Sequence, residues 1–114
     1  MQNSMRQFQA NVFQALAHPT RVAVVELLAD QTEVSVTRIY EQLGVEQANI
    51  SQHLAVLRAR HIVVGRKDAN QVFYSLRDPI AGQMLALMRQ YFHAHLKEAL
   101  QTLKELEGDF DSLK

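Results

Sequence analysis

A chain of 114 residues, 47% of them hydrophobic, suffices for one domain with a real core, and no apolar run approaches the roughly 20 residues of a membrane span. Twelve basic and twelve acidic side chains cancel, so the chain lacks the overall basic excess that commonly accompanies nucleic-acid binding. Having no cysteine, it has no disulfides, thiolate metal ligation or thiol redox sensing.

The charge is unevenly distributed. Residues 38–77 hold six arginines and lysines against three acids, a net +3, whereas residues 96–114 hold three lysines against five acids, a net −2. In a dimer that asymmetry doubles and points a basic face at phosphate. The amino terminus MQNSMRQFQ has no apolar signal core, so a cytoplasmic protein with no membrane contact is expected.

Phe8, Val12 and Leu16, with Phe13 on the flank, predict a first helix over residues 5–17. His18-Pro19-Thr20 breaks it, because Pro19 disfavours a helical His18 and suits the first turn of a new helix. The second helix, roughly 20–30, carries Val22, Val24, Val25, Leu27 and Leu28 around much of its circumference and belongs in the centre of the core. Asp30-Gln31-Thr32-Glu33 reads as a polar loop.

The stretch from Val34 to Arg60 reads as two short amphipathic helices joined by a tight turn. Ser35 caps the first of them, and Val36, Ile39, Tyr40 and Leu43 form its apolar face. Gly44 supplies a left-handed helix end, with Val45 as the apolar plug after it. Glu46-Gln47-Ala48-Asn49 opens the next helix, buried through Ile50, Leu54 and Leu57, with Val56 on its flank. Between these lie Gln47, Asn49, Ser51, Gln52 and His53, hydrogen-bonding side chains without fixed charge, which suit the base edges of a DNA major groove. A solvated amphipathic hairpin is the rival reading of this stretch taken alone.

The period then changes. Residues 62–67 and 71–76 are β-prone, with Asp68-Ala69-Asn70 between them, and predict a hairpin with a basic tip at which Asn70 takes the positive φ. Asp78 caps a last helix that begins at Pro79 and runs to about Glu107. Its apolar stripe (Ile80, Met84, Leu87, Met88, Tyr91, Phe92, Leu96, Leu100, Leu103, Leu106) would span about 40 Å, more than one small domain covers. The expected fold is therefore mainly α with a β-hairpin. It is a single winged helix-turn-helix domain over residues 1–114, in the order α-α-α-α-β-β-α, dimerising through its first and last helices.

The segments FQALAHPTRVAVVELLA, GVEQANISQHLAVLRARHIV and GRKDANQVFYSL, in this order and spacing, resemble the ArsR/SmtB family of bacterial transcriptional repressors over about Phe13 to Asp78. The resemblance implies a homodimeric repressor on an inverted-repeat operator of double-stranded DNA, released by an inducer that is often a metal ion. It puts Gln47, Asn49, Ser51, Gln52 and His53 on the recognition helix, with Ser51 and Gln52 foremost as base contacts. Arg58 and Arg60 fall near its far end, and Arg66, Lys67, Asn70 and Gln71 fall on the wing. Two positions depart from the family pattern: His61 and Ala69 stand where glycine is usual.

The inducer is not legible. In the segment that matches the family's Cys-Val-Cys site, Ser35 and Thr37 replace both sulfurs, and hydroxyls are poor ligands for soft ions. Of the family's carboxylate-histidine site on the last helix, Asp78 is present, but Ile80, Tyr91 and Ala94 stand where further ligands belong. No metal site and no cofactor are therefore expected, and any small-molecule or ion inducer is unidentified. His93 and His95, two apart on one helix, point about 200° apart and could meet one ion only with ligands from elsewhere. The Met84, Met88, Tyr91 and Phe92 cluster reads as core or dimer interface before it reads as a ligand pocket. A protein-interaction winged helix and a repressor with an improvised His93/His95 metal site are the alternatives. An enzyme is not expected, since no nucleophile with a base and no phosphate-cradling glycine loop is present.

Overall fold

A computed structural model describes residues 2–113; Met1 and Lys114, the latter counted in the acidic tail above, lie outside the described residues. The elements are α1 (Gln2–Leu16), α2 (Pro19–Asp30), β1 (Val34–Ser35), α3 (Val36–Leu43), α4 (Gln47–Ala59), β2 (Val63–Asp68), β3 (Gln71–Leu76) and α5 (Ile80–Ser112). Residues up to Gly82 form one compact unit and those from Gln83 a second.

Local chemistry sets the helix boundaries of the first unit. Pro19 sits in the first turn of α2, and the extended residue before it, His18, caps that helix: its Nδ1 accepts from Thr20 N at 3.1 Å. Ser35 caps α3 by accepting from Arg38 N at 3.2 Å, and Asp78 Oδ1 accepts from Ile80 N at 2.8 Å where α5 begins. Both α3 and α4 end in the same way. Gly44 takes φ 65, and Val45 N and Gly44 N donate to Tyr40 O and Glu41 O. His61 takes φ 59, and Ile62 N and His61 N donate to Leu57 O and Arg58 O, each at 3.0 Å. These paired bonds satisfy the last carbonyls and require a left-handed residue after the helix.

The core of this unit gathers one edge of each helix. Val24 and Val25 of α2, Ile39 of α3, and Ile50, Leu54 and Leu57 of α4 are all but completely buried, and Val34, Val63 and Tyr74 close the core from the sheet side. No polar or charged side chain is buried among the described residues.

The sheet has three strands in the order β1-β3-β2, all antiparallel. The sequence pattern predicts only two; β1 is the addition. It is only two residues long, and it exists because Val34 pairs with Tyr74 and Ser35 with Phe73, partners about forty positions away that no local pattern announces. Between β2 and β3 the pair Asp68–Gln71 closes a two-residue turn of Ala69 and Asn70. Here Ala69 takes the positive φ, 54, and not Asn70 as the propensity of asparagine suggests. The register fixed by the strands decides which turn residue must be left-handed.

The last helix runs to Ser112, beyond the expected end near Glu107, because neither Gly108 nor any later residue forces a stop. None of its residues is buried. Leu87, Met88, Tyr91 and Phe92, and then Leu96, Leu100, Leu103, Leu106 and Phe110, stay largely exposed. On α1 the same holds for Met5, Phe8 and Phe13.

His61 and Ala69 are the only non-glycine residues with positive φ among those described. A side chain in the left-handed region costs roughly 1–2 kcal/mol, against which glycine loses some entropy on folding. His61→Gly and Ala69→Gly should each raise unfolding stability by about 0.5–1 kcal/mol, read from urea denaturation midpoints. A loss of stability in both would show that the backbone there is not strained.

Candidate nucleic-acid interface

The helical repeat of α4 divides its polar residues into groups. With Ile50, Leu54 and Leu57 turned into the core, Gln47, Ser51 and Arg58 share one flank within about 40° of each other at ~100° per residue. Gln52 projects from the side opposite the core, and Asn49 lies on the other flank. Gln47, Asn49, Ser51 and Gln52 are all exposed.

The flank bearing Gln47, Ser51 and Arg58 faces the hairpin. Those three side chains, with Asn70 and Gln71 at the hairpin tip and Ser35 and Thr37 at the start of α3, line one open concavity of ≈ 330 Å³. Its floor is Leu54, Val72 and Tyr74. Five of the eleven expected contact residues therefore converge on one groove. Arg60, at the end of α4, and Lys67, on β2, are exposed.

Three of the expected contact residues have protein partners that the sequence does not announce. His53 is half-buried on the far flank of α4; its ring centroid lies 4.3 Å from that of His18, and its Nδ1 lies 3.3 Å from Arg21 Nη1. Arg21 in turn donates to the carbonyls of Ala15 and Gln14 at the end of α1. His53 is thus held by the α1–α2 junction and does not share the exposure of Ser51 and Gln52. Arg58 Nη1 donates to the Tyr74 hydroxyl at 3.1 Å, which ties α4 to β3. Arg66 forms a two-pronged ion pair with Glu33, at 2.7 and 3.1 Å, while its guanidinium lies 5.0 Å from the centre of the Phe73 ring. The Arg66 bond draws the Glu33 carboxyl below its usual range; partial desolvation works against that, and the charge of Arg66 adds to it. Arg21, Glu33 and Tyr74 are the residues that sequence reasoning misses. Each acts across 16 to 33 positions, beyond any local signal.

The positions of the family's metal ligands do not fit a metal here. Ser35 Oγ caps α3, Asp78 Oδ1 caps α5, and Ile80, Tyr91 and Ala94 stand where the resemblance places further ligands. His95 stacks beside Tyr91 and His93 meets Phe92 edge-on, each within α5. Among the described residues no three His, Asp or Glu side chains gather as ligands for an ion.

A recognition helix behind a three-stranded wing defines a winged helix-turn-helix protein. Residues 16–66 match the family model described as a helix-turn-helix domain. The chain is 32% identical over 100 residues, 88% of each chain, to the uncharacterised HTH-type transcriptional regulator Rv0081 of Mycobacterium tuberculosis. The crystal structure of Rv0081 superposes with a TM-score of 0.76, covering 84% of this chain and 96% of that one at 33% identity. A biofilm growth-associated repressor of Xylella fastidiosa is 37% identical over 79% of this chain and 78% of its own. The homodimeric winged helix-turn-helix domain Mb0332 of Mycobacterium bovis shares the fold, with a TM-score of 0.77 at 24% identity over 85% of this chain and 89% of that one. With these relatives the chain belongs to the helix-turn-helix transcriptional regulators, a family of regulators and not of enzymes. Among the described residues, no helix is long and apolar enough to cross a membrane.

Burial, then the neighbouring charges of His18 and Arg21, hold the His53 imidazole below its ordinary value of 6.5. The folded protein therefore takes up this proton less readily than the unfolded chain. The stability from neutral His53 is present above about pH 6.5 and is lost as pH falls from there through the folded-state value. Urea denaturation at about pH 7.5 and 5.5 should show an acid loss that His53→Gln reduces. An equal acid loss in the variant would place the sensitivity elsewhere.

Proposed function

We propose that this DNA-binding transcriptional regulator works in the cytoplasm as a homodimeric repressor. It reads an inverted-repeat operator in double-stranded DNA with α4 and steadies itself on phosphate with the wing. The observation that carries this reading is the shared groove of α4 and the hairpin tip, where Gln47, Ser51, Arg58, Asn70 and Gln71 converge. Amide and hydroxyl groups at that spacing match the donor and acceptor pattern of base edges, whereas phosphate is met by cations at the rim.

In this reading Ser51 and Gln52 contact bases, with Gln47 and Asn49 beside them. Arg60, Lys67 and Arg66 meet phosphate, Asn70 and Gln71 meet the backbone at the wing tip, and Arg58 sets the angle between helix and wing through Tyr74. His53 supports α4 from behind. No catalytic step belongs to this function. Any inducer that releases it from DNA would not use the family's thiolate or carboxylate-histidine sites, since the chain has no cysteine and Ile80, Tyr91 and Ala94 stand where the resemblance places further ligands.

The dimer is supported by the apolar surface that each helix leaves uncovered. On α5, Phe92, Leu96, Ala99, Leu103, Leu106 and Phe110 repeat at alternating spacings of four and three, the seam of a helix that packs on another helix. Met5, Phe8 and Phe13 of α1 add a second exposed patch. Two copies related by a twofold axis would cover such surfaces and present two recognition helices to two half-sites.

Fluorescence anisotropy with the duplex upstream of the protein's own gene, against a scrambled duplex, tests the reading face. Ser51→Ala and Gln52→Ala should each lower discrimination by roughly 1–3 kcal/mol, about 5- to 150-fold. Lys67→Ala should weaken both duplexes alike and flatten the salt dependence by about one unit of slope per protomer. Full operator preference in both α4 variants would put the reading face elsewhere.

A further inference from the structure

The wing's best-placed arginine is not free. Arg66 stands on β2 opposite Phe73 of β3, its guanidinium over that ring, and beyond the ring it grips the carboxylate of Glu33, the residue just before β1. The pair thus reaches across the whole width of the three-stranded sheet. Asp68 adds a looser contact at 3.6 Å from the other side. Both members are open to water, with 53% of the Arg66 side chain and 37% of the Glu33 side chain exposed.

Such a pair contributes little to stability, because water screens it and two long side chains must be held still. It does control two other things. It fixes the guanidinium in one orientation on the wing face, and it cancels its charge where DNA phosphate would arrive. A phosphate can take both prongs of an arginine as well as a carboxylate can. The two anions therefore compete for one fork, and Glu33 remains close enough to repel the phosphate after it has been displaced.

We propose that Glu33 is a positioning residue that sets the wing's affinity for DNA by competing with phosphate for Arg66. This rests on the assignment of Arg66 to phosphate contact in the proposed function. Glu33 makes binding to any sequence weaker and less dependent on salt, and it leaves discrimination to α4, where the base-reading side chains lie. A regulator built in this way stays less tightly held on non-operator DNA, because sequence-independent affinity comes almost wholly from phosphate contacts.

The test is a double-mutant cycle on the full-length protein, with binding to operator and scrambled duplexes titrated over a series of sodium chloride concentrations. Glu33→Gln should tighten binding to both duplexes by about three- to tenfold at low salt, leave their ratio unchanged, and steepen the salt slope by up to about one unit per protomer. Arg66→Gln should weaken binding to both. Adding Glu33→Gln to Arg66→Gln should then produce no gain, since nothing remains for the carboxylate to mask. Because the expected effect of Glu33→Gln is a gain, partial unfolding cannot imitate it. If Arg66→Gln binds as the parent does, the phosphate assignment itself fails. If Arg66→Gln weakens binding but Glu33→Gln binds no more tightly, or more weakly, the competition is overturned while the assignment stands. A gain from Glu33→Gln that persists without Arg66 would also overturn it, since it would reflect bulk charge alone.

Discussion

The rotational setting of α4 is what the rest of the interface depends on, and it is fixed by three side chains. Ile50, Leu54 and Leu57 are 0%, 1% and 0% exposed. Each stabilises the fold by roughly 1.5–3 kcal/mol through burial, so turning the helix about its axis would cost several kcal/mol. With that edge pinned, helical geometry leaves no choice about the others: Gln47, Ser51 and Arg58 must lie toward the wing and Gln52 must project outward. A polar face can read base edges only when something holds it still, and here the apolar core holds the polar face of α4 in place.

The wing is held to that helix by contacts of a different kind. Tyr74 serves both partners at once, since its ring is buried in the core while its hydroxyl accepts from Arg58. β1 adds a third strand behind β3, and the Glu33–Arg66 pair reaches over β3 from one edge strand to the other. The exposed Glu33–Arg66 pair contributes little stability, because water screens it. The effect of these contacts is geometric: they set the distance between hairpin tip and recognition helix, and hence the width of the groove between them. The left-handed Ala69 and His61 mark the two places where the backbone must turn sharply to keep that geometry.

Features determined by residues close together in the chain are legible from the amino-acid sequence. Pro19, Ser35, Gly44 and Asp78 announce helix ends through chemistry that operates within a few residues, and the buried edge of α4 follows from a 3.6-residue period. The order of elements, with the family resemblance, is enough to expect a winged helix. What escapes is set by distant partners. The pairing of Val34 with Tyr74 makes β1, the strand register makes Ala69 rather than Asn70 the left-handed residue, and the α1–α2 junction holds His53. The same holds for Arg58 and Arg66. Sequence marks both as cations suited to phosphate, but it does not show that one is engaged by a tyrosine and the other by a glutamate.

A fixed α4, a tethered wing and exposed apolar faces support the central proposal that two copies engage two half-sites of one operator. Hydroxyl-radical footprinting on the duplex upstream of the protein's own gene tests that claim most directly. The expected result is two protected half-sites on one face of the duplex, related by inverted symmetry and separated by about 10 base pairs or a small multiple of that. Protection of a single site without symmetry, or uniform protection that disappears with added salt, would contradict it.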